Sequence, residues 1–176
     1  MITACDIRFC TEDRSQGRLT GTWPLRNQMF TWPDAYFQAA EVDVGLAADV
    51  GGLQRFPKII GNQSLVRELA LSGRKMAATE AYQQGLVSRV CASKEAMMAE
   101  ALDLAKAIAA KSPVATLGVK QFLNYARDHS VEESLEYAIT WNMSMLQGAD
   151  MALAAASMLQ KSSPSFGNLP PARSKL

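Results

Sequence analysis

The chain has 176 residues, of which 48% are hydrophobic, and a formal net charge of +1 at pH 7. This length and apolar content suffice for a domain with a buried core, and the near-neutral charge gives no indication of nucleic-acid binding. No apolar run is long enough to span a membrane, and the first residues lack the pattern of a secretory signal.

Few side chains in the sequence could bind a metal or carry thiol chemistry. Cys5, Cys10 and Cys91 are an odd number without metal-ligand spacing, which indicates free, mostly buried thiols in a reducing compartment. The single histidine, His129, lies beside Asp128 just before a helix start, so we expect it at the surface or in a cap. Neither a metal nor an organic cofactor is expected.

The first half of the chain alternates short strands with short helices. Asp49 is in position to N-cap a helix, Pro57 would kink or split that helix, and Thr79 is expected to cap another. The expected elements are a strand over 2–10, a long irregular loop over 14–33, a strand over 35–44 that runs into a loop, helices over 50–60 and 63–71, a brief helix over 80–84 and a strand over 86–90.

The second half is predicted to be almost entirely helical. Ser93 is expected to cap one helix, and the sequence Ser130-Val131-Glu132-Glu133 is typical of a capping box. The apolar stripes on these helices could form a core or face other subunits. The expected helices cover about 93–111, 113–126, 131–146 and 150–160, with one apolar face at Met97, Ala101, Leu104, Ala105 and Ile108.

Three carboxylates stand among apolar residues in the segment E-V-D-V-G-L-A-A-D. Glu41, Asp43 and Asp49 are each costly to bury in ionised form unless paired, hydrogen-bonded or used. In one interpretation, Asp49 is only an N-cap and Glu41 only a strand-end residue. In the other, the small residues fold the loop so that both reach one apolar pocket, with charged Asp49 as base and protonated Glu41 as acid.

The same segment carries a family resemblance. The stretch E-V-D-V-G-L-A-A-D-V-G-G-L-Q-R-F-P-K-I-I-G-N, with S-G-R-K-M, E-A-Y-Q-Q-G-L-V-S-R-V and K-S-P-V-A, resembles the crotonase (enoyl-CoA hydratase/isomerase) superfamily. The first motif, the tract R-D-H-S-V-E-E-S-L-E-Y-A-I-T-W-N-M-S-M-L-Q and the terminal S-K-L are similar to the Δ3,5-Δ2,4-dienoyl-CoA isomerase branch. The resemblance covers about residues 2–13 and 34–150.

The resemblance implies a fold and a domain organisation. It implies an α/β class: the C-terminal half of a crotonase-like (ββα spiral) core, followed by a helical oligomerisation region. The corresponding parts are a partial core over 1–92, with 14–33 as an irregular insertion, a helical region over 93–160 and a flexible tail over 161–176.

The resemblance also implies a reaction, the isomerisation of 3,5-dienoyl-CoA to 2,4-dienoyl-CoA in fatty-acid β-oxidation. Asp49 matches the aspartate that removes a proton from C2, and Glu41 matches the glutamate that delivers one at C6. Hydratases of the superfamily share the glutamate but have a Gly-rich segment in place of the aspartate, so Asp49 favours the isomerase. Asp43 is expected to be a solvated loop acid.

The chain departs from its family at its start. The N-terminal half of the family, which carries CoA-contacting loops and both oxyanion-hole donors, has no counterpart after Met1, so we expect the chain to begin inside the family's sequence. Because loss of one such donor typically costs ~10²–10³ in rate, activity of this chain alone is expected to be impaired. Two alternatives remain: a catalytically inactive subunit that oligomerises, and an enoyl-CoA hydratase.

The expected partners follow from the resemblance and from the tail. They are an acyl-CoA substrate, other copies of the chain in a trimer or hexamer, and a peroxisomal receptor. That receptor would read Ser174, Lys175 and Leu176, since S-K-L at a free C-terminus is a peroxisomal address. The expected location is therefore the peroxisome, with the mitochondrion an alternative for a full-length family member.

Overall fold

The computed structural model of the chain describes residues 6–11 and 35–169. They separate into two units, one ending at Leu102 and the other beginning at Asp103. The predicted irregular insertion over 14–33 and Cys5 lie outside the described residues. The elements up to the boundary are β1 (Phe9–Thr11), β2 (Tyr36–Phe37), a 3-10 helix (Glu41–Val44), α1 (Gly52–Ile59), α2 (Gln63–Ser72), β3 (Met76–Ala77), α3 (Ala78–Gln83), β4 (Arg89–Cys91) and α4 (Lys94–Ala109), which crosses it.

The strands of the first unit form two separate pairs. β1 runs parallel to β4, with Phe9 opposite Arg89 and Cys10 opposite Val90. β2 runs antiparallel to β3, with Phe37 opposite Met76. Each pair joins elements far apart in sequence, so the described part of this unit is α/β in class.

The core of the first unit is built around side chains with no exposed surface. Helix α2 contributes Leu65, Val66 and Leu69, which recur on one helical face as an amphipathic pattern requires. Burial of such aliphatic side chains stabilises the fold by roughly 1.5–3 kcal/mol each. The core comprises Cys10, Phe37, Ile60, Leu65, Val66, Leu69, Met76, Ala78, Ala81, Leu86 and Val87.

The second unit is helical, with α5 (Pro113–Tyr125), α6 (Val131–Met145) and α7 (Ala149–Leu159). Aromatic rings join α5 to α6: Phe122 meets Trp141 edge-on at 5.9 Å, and Tyr125 stacks on Tyr137 at 4.7 Å. Ser112, the N-cap of α5, also donates to Asp150 Oδ2 at 2.5 Å. This unit is therefore held by an aromatic helix pair and a hydrogen bond between helix starts.

Helix α6 carries a second apolar face that remains exposed. Val131, Leu135, Ile139 and Met143 follow at four-residue spacing, and each is 59–69% exposed. We call these four residues the α6 stripe. Side chains four apart lie on one face of a helix, so the α6 stripe is a continuous apolar surface.

Several predictions from the sequence are confirmed. The helix expected over 63–71 is α2, and Ser93 Oγ accepts from Ala96 N at 3.1 Å, as a cap should. The capping box at Ser130 is present. His129 is exposed, as expected, and it contacts the end of α5: its Nδ1 lies 2.8 Å from Tyr125 O, and its ring stacks on Tyr125. The described residues also include the expected helices α4, α5 and α7.

Two predicted caps are wrong. Asp49 does not cap α1, because Gly51 adopts a left-handed conformation (φ +84°) and is itself the N-cap of a helix that begins at Gly52. Thr79 lies inside α3, whose N-cap is Ala77, because β3 passes directly into the helix. Pro57 lies within α1 without ending it.

Two predicted strands are shorter or displaced in the structure. In place of strands over 35–44 and 86–90, the structure has β2 and β4, and β1 lies at the end of the strand predicted over 2–10, of which residues 2–5 are outside the described residues. Their limits are set by which residues find partners: Phe9–Thr11 pair with Arg89–Cys91, and Tyr36–Phe37 pair with Met76–Ala77.

No helix in the described ranges has the length and apolar character needed to cross a membrane.

The two cysteines that the structure describes are free and buried, as expected. Cys10 has no exposed surface and donates to Arg89 O at a sulfur–oxygen distance of 3.7 Å. Burial raises the pKa of the Cys91 thiol, and the nearby Glu100 carboxylate raises it further. Raising the pKa lowers the thiolate fraction at neutral pH, so Cys91 is a poor nucleophile.

Candidate active site

Glu41 begins the 3-10 helix Glu41–Val44, which we call the Glu41 turn. Its carboxylate oxygen Oε2 is buried, and no hydrogen-bond partner for this atom lies among the residues that the structure describes. A buried polar atom without a partner is rare, because it forgoes its hydrogen bonds to water without replacing them. Among the described residues, this oxygen is therefore the clearest candidate for a group that contacts a ligand.

The Glu41 turn closes on itself through its backbone. Gly45 adopts a left-handed conformation (φ +78°), and its N–H donates to Val42 O at 3.2 Å. The N–H of Leu46 donates to Glu41 O at 3.0 Å. These bonds fix the backbone of Glu41, so the direction of its side chain depends on how the turn is attached to the rest of the unit.

The turn is attached to the C-terminal end of helix α2. Gln38, between β2 and the turn, donates from Nε2 to Gly73 O at 2.6 Å. After Glu41, the side chains of Val42 and Asp43 also lie close to Gly73. A Cβ at Gly73 would lie 3.0 Å from Asp43 Oδ1 and 3.2 Å from Val42 Cγ2. Gly73 has a φ of +62°, which L side chains rarely adopt, and a Cβ there would crowd the side chains of Val42 and Asp43, so glycine is favoured at this position.

Asp49 lies on the same connection as Glu41 but is exposed. It follows Leu46 and precedes Gly51, where the chain turns into α1. The guanidinium of Arg55 lies against Gly51, and its Nη1 donates to Val50 O at 3.3 Å. Both predicted catalytic carboxylates therefore lie on the one segment between β2 and α1, with a buried oxygen on Glu41 and an exposed side chain on Asp49.

The segment around the two carboxylates presents apolar side chains. Val44 is 73% exposed, Leu46 64% and Val50 53%. An apolar surface next to acidic groups can contact a ligand that combines a hydrocarbon chain with a reacting polar group. Asp43, the third acid of the motif, is exposed, as expected of a solvated acid, and lies against Gly73.

An arginine fork stabilises the connection to which the turn is attached. Arg74 donates from Nε to Glu68 at 2.6 Å and from both terminal nitrogens to Glu80, at 3.0 and 2.8 Å. A bidentate guanidinium–carboxylate pair is geometrically specific and stronger than a neutral hydrogen bond. The hydrogen bonds from Arg74 lower the pKa of the Glu80 carboxyl and raise the pKa of Arg74.

Sequence reasoning missed Gln38, Gly73 and Arg55 as parts of this site. Gly73 had one detectable signal, since a glycine directly after a helix predicts a left-handed C-cap. Gln38 and Arg55 bind backbone carbonyls, and such contacts leave no residue pattern in the sequence.

The predicted targeting residues Ser174, Lys175 and Leu176 lie outside the described residues. Within residues 6–11 and 35–169, no group of three or more potential ligands could hold a metal ion.

Comparison with known proteins places this chain in a family. Residues 31–168 match the family model "Enoyl-CoA hydratase/isomerase". The mouse mitochondrial Δ3,5-Δ2,4-dienoyl-CoA isomerase is 52% identical over 161 residues, covering 92% of this chain and 43% of that protein. The peroxisomal protein of the same name from Arabidopsis thaliana is 38% identical over 169 residues, covering 96% of this chain and 53% of that protein.

Solved structures give the same result for the fold. An enoyl-CoA hydratase from Mycobacterium marinum superposes with a TM-score of 0.72 at 27% identity, over 80% of this chain and 57% of that one. The α/β architecture described above is thus crotonase-like. The chain spans less than half the length of the mouse relative. Because the family model covers most of the chain, the chain belongs to the enoyl-CoA hydratase/isomerase family.

Proposed function

We propose that the protein isomerises 3,5-dienoyl-CoA to 2,4-dienoyl-CoA in fatty-acid β-oxidation. The observation that carries the proposal is the buried Oε2 of Glu41, which has no hydrogen-bond partner within residues 6–11 and 35–169 and lies on the same segment as the exposed carboxylate of Asp49. Two carboxylates in different surroundings can serve a proton transfer between two carbon atoms, with one accepting a proton and the other donating one.

The proposed reaction conserves all atoms. Asp49 removes a proton from C2, and the negative charge that develops is shared with the thioester oxygen. The double bonds move from positions 3 and 5 to positions 2 and 4, and Glu41 delivers a proton at C6. The exposed Val44 and Leu46 between the two acids would contact the hydrocarbon part of the substrate. No cofactor takes part, and CoA enters as part of the substrate.

The names of relatives support this reaction over others. The relatives from mouse and Arabidopsis thaliana are both named Δ3,5-Δ2,4-dienoyl-CoA isomerase. The alternative within the family is an enoyl-CoA hydratase, which is the name of the Mycobacterium marinum neighbour. Asp49 favours the isomerase, because the resemblance assigns an aspartate at this position to the isomerases and a Gly-rich segment to the hydratases. Water addition to a 2-enoyl-CoA would distinguish the hydratase.

A second candidate function is that of a non-catalytic subunit. The α6 stripe is an exposed apolar surface, and surfaces of this kind mark protein–protein contacts. In this alternative the chain joins other copies in a trimer or hexamer and contributes no turnover. The mouse relative is more than twice as long as the region matched by this chain. In this alternative, turnover depends on residues of the kind found in the unmatched part of that relative.

The proposed location is the peroxisome. Ser174-Lys175-Leu176 would be read by the peroxisomal receptor where it stands at a free C-terminus. The Arabidopsis thaliana relative is named peroxisomal and the mouse relative mitochondrial. A fluorescent fusion that ends in this tripeptide, compared with one that lacks Leu176, would test the address: peroxisomal fluorescence lost with Leu176 is expected, and equal distribution of both would contradict it.

The test of the reaction is an ultraviolet assay with a purified 3,5-dienoyl-CoA. Product formation raises absorbance, because the new diene is conjugated with the thioester. We expect Asp49→Asn and Glu41→Gln to leave only a small but measurable residual turnover and Asp43→Asn, a matched acid-to-amide control in the same motif, to retain full turnover. Equal activity of all three variants would contradict the two-carboxylate mechanism. A folded chain without turnover, which still forms oligomers, would favour the non-catalytic subunit.

A further inference from the structure

Three contacts of the Glu41 turn and of the residues that lead into it lie on one short piece of chain, the connection from Gly73 to Met76. β2 enters the turn while paired with β3, where Phe37 stands opposite Met76. Gln38 then binds Gly73 O at 2.6 Å. After the turn has begun, Val42 and Asp43 pack against the α-carbon of Gly73. Three successive contacts thus hold the residues on either side of Glu41 against the same backbone.

Gln38 makes the only side-chain hydrogen bond among these three contacts. The pairing of β2 with β3 ends one residue before it, and the packing at Gly73 is van der Waals contact without directional preference. The hydrogen bond joins residues 35 apart in sequence, so it fixes the chain at Gln38 relative to helix α2 rather than within the turn itself. A bond of this kind determines the angle at which the turn leaves β2.

The backbone at Gly73, whose carbonyl accepts from Gln38, is held in place by other contacts. Gly73 N–H donates to Leu69 O at 3.1 Å, which makes it the C-cap of α2. The next residue, Arg74, joins Glu68 on α2 to Glu80 on α3. The carbonyl of Gly73 is therefore a fixed acceptor, and a donor attached to it is fixed as well.

We propose that Gln38 is a positioning residue for the acid Glu41, acting through its hydrogen bond to Gly73 O. Only Ala39 and Ala40 separate it from Glu41, so the bond sets where the turn begins and hence where the buried Oε2 points. Catalysis by proton transfer depends on such placement, because an error of about 1 Å can cost ~10² in rate. The role in catalysis rests on the proposed function, whereas the anchoring of the turn does not.

The first measurement is hydrogen exchange on the full chain with Gln38→Met, which keeps the length of the side chain and removes the donor. We expect the amides of Asp43, Gly45 and Leu46 to exchange about two- to tenfold faster, which is the effect of losing one net hydrogen bond on local opening. The amide of Leu86, bonded to Ala81 O in the core at 2.8 Å, should not change.

The matched control is Gln63→Met. Gln63 also donates from Nε2 to a backbone carbonyl, Pro57 O at 2.8 Å, but this bond joins the start of α2 to α1. This substitution should leave exchange in the Glu41 turn unchanged. If Gln38→Met also leaves it unchanged, or if Leu86 exchanges faster by the same factor, the anchoring role is wrong.

The second measurement is kinetic and separates positioning from general stability. Gln38→Met should lower kcat by about tenfold with little change in KM, and should cause no further loss in a Glu41→Gln background, because residues that act as a unit are not additive. An equal loss in both backgrounds would overturn positioning. Full activity of Glu41→Gln itself would instead reject the proposed function, while the exchange result would still decide the anchor.

Discussion

The indole nitrogen of Trp141 faces the α-carbon of Gly118 so closely that a Cβ there would lie 2.9 Å from Nε1. Trp141 is also in edge contact with Phe122 and Tyr137, so its ring has little room to move. In Gly118→Ala, the higher helix propensity of alanine would stabilise α5 by up to ~1 kcal/mol. The added methyl group would crowd the Trp141 ring, and overpacking of this kind destabilises a fold by about 1–3 kcal/mol. We expect a net loss of about 1 kcal/mol in the free energy of unfolding, measured by urea denaturation followed by circular dichroism.

The control for this substitution is Gly52→Ala at the start of α1. A Cβ at Gly52 would meet nothing within 4 Å, so only the propensity gain applies. We expect Gly52→Ala to be neutral or slightly stabilising. A Gly118→Ala chain at least as stable as the unsubstituted one would mean that Trp141 can move aside, and that α5 and α6 do not depend on this close approach.

Leu86 should be among the most costly core residues to truncate in the first unit. It has no exposed surface and belongs to the cluster that joins α2, β3 and α3. Leu86→Ala is expected to lower the free energy of unfolding by about 2–5 kcal/mol, since burial is lost and a cavity remains. Leu71→Ala, at a position 77% exposed, should change it by less than about 0.5 kcal/mol. Similar losses at both positions in urea denaturation would contradict the assignment of the core.

The fork of Arg74 should make stability depend on pH through Glu80. The pKa of Glu80 is lowered from its ordinary value of 4.5, chiefly by the hydrogen bonds from Arg74. A lowered pKa in the folded state means that the contribution is present above the unfolded value and is lost as pH falls through the folded value. The Tm of Arg74→Met should therefore lie below that of the unsubstituted chain at neutral pH, and this difference should shrink in acid.

The control for the pH effect is Arg67→Met. Arg67 donates to the backbone carbonyl of Gln63, so its hydrogen bond does not involve a titrating acceptor. The Tm difference for Arg67→Met should be independent of pH between neutral and acid conditions. A difference for Arg74→Met that is equally constant would show that Glu80 is not coupled to the arginine.

The capping box of α6 should contribute measurably to the second unit. Ser130 Oγ accepts from Glu133 N at 3.2 Å, and Glu133 Oε2 accepts from Ser130 N at 2.8 Å. Ser130→Ala is expected to lower the free energy of unfolding by about 0.5–2 kcal/mol. Ser134→Ala, four residues later on the same helix, removes only a bond to Ser130 O and should be neutral or stabilising. A larger loss at Ser134 than at Ser130 in urea denaturation would contradict the role of the cap.

Local signals in the sequence predicted those elements that depend on neighbouring residues. The capping box at Ser130 and the cap at Ser93 are decided within four residues, and both are present. The cap predicted at Asp49 failed, because the left-handed conformation of Gly51 moves the helix start, and two consecutive glycines permit several such starts.

Contacts between distant residues could not be predicted in this way. The register of β1 against β4 and the bond from Gln38 to Gly73 depend on three-dimensional packing, which a single sequence does not display. The same holds for the candidate site. The spacing of Glu41 and Asp49 left two interpretations open, and the resemblance to a family selected one of them. The buried Oε2 of Glu41 is a feature that only the packed structure reveals.

The parallel pairing of β1 with β4 has a consequence for synthesis of the chain on the ribosome. Arg8 and Ser88, joined by a hydrogen bond beside this pair, are 80 residues apart in sequence. At ~5–20 residues per second, the partner strand follows the first one by roughly 4–16 s. During that delay β1 has none of its native hydrogen bonds to β4, so a nascent chain would be open to chaperone binding and to non-native pairing until Cys91 has emerged.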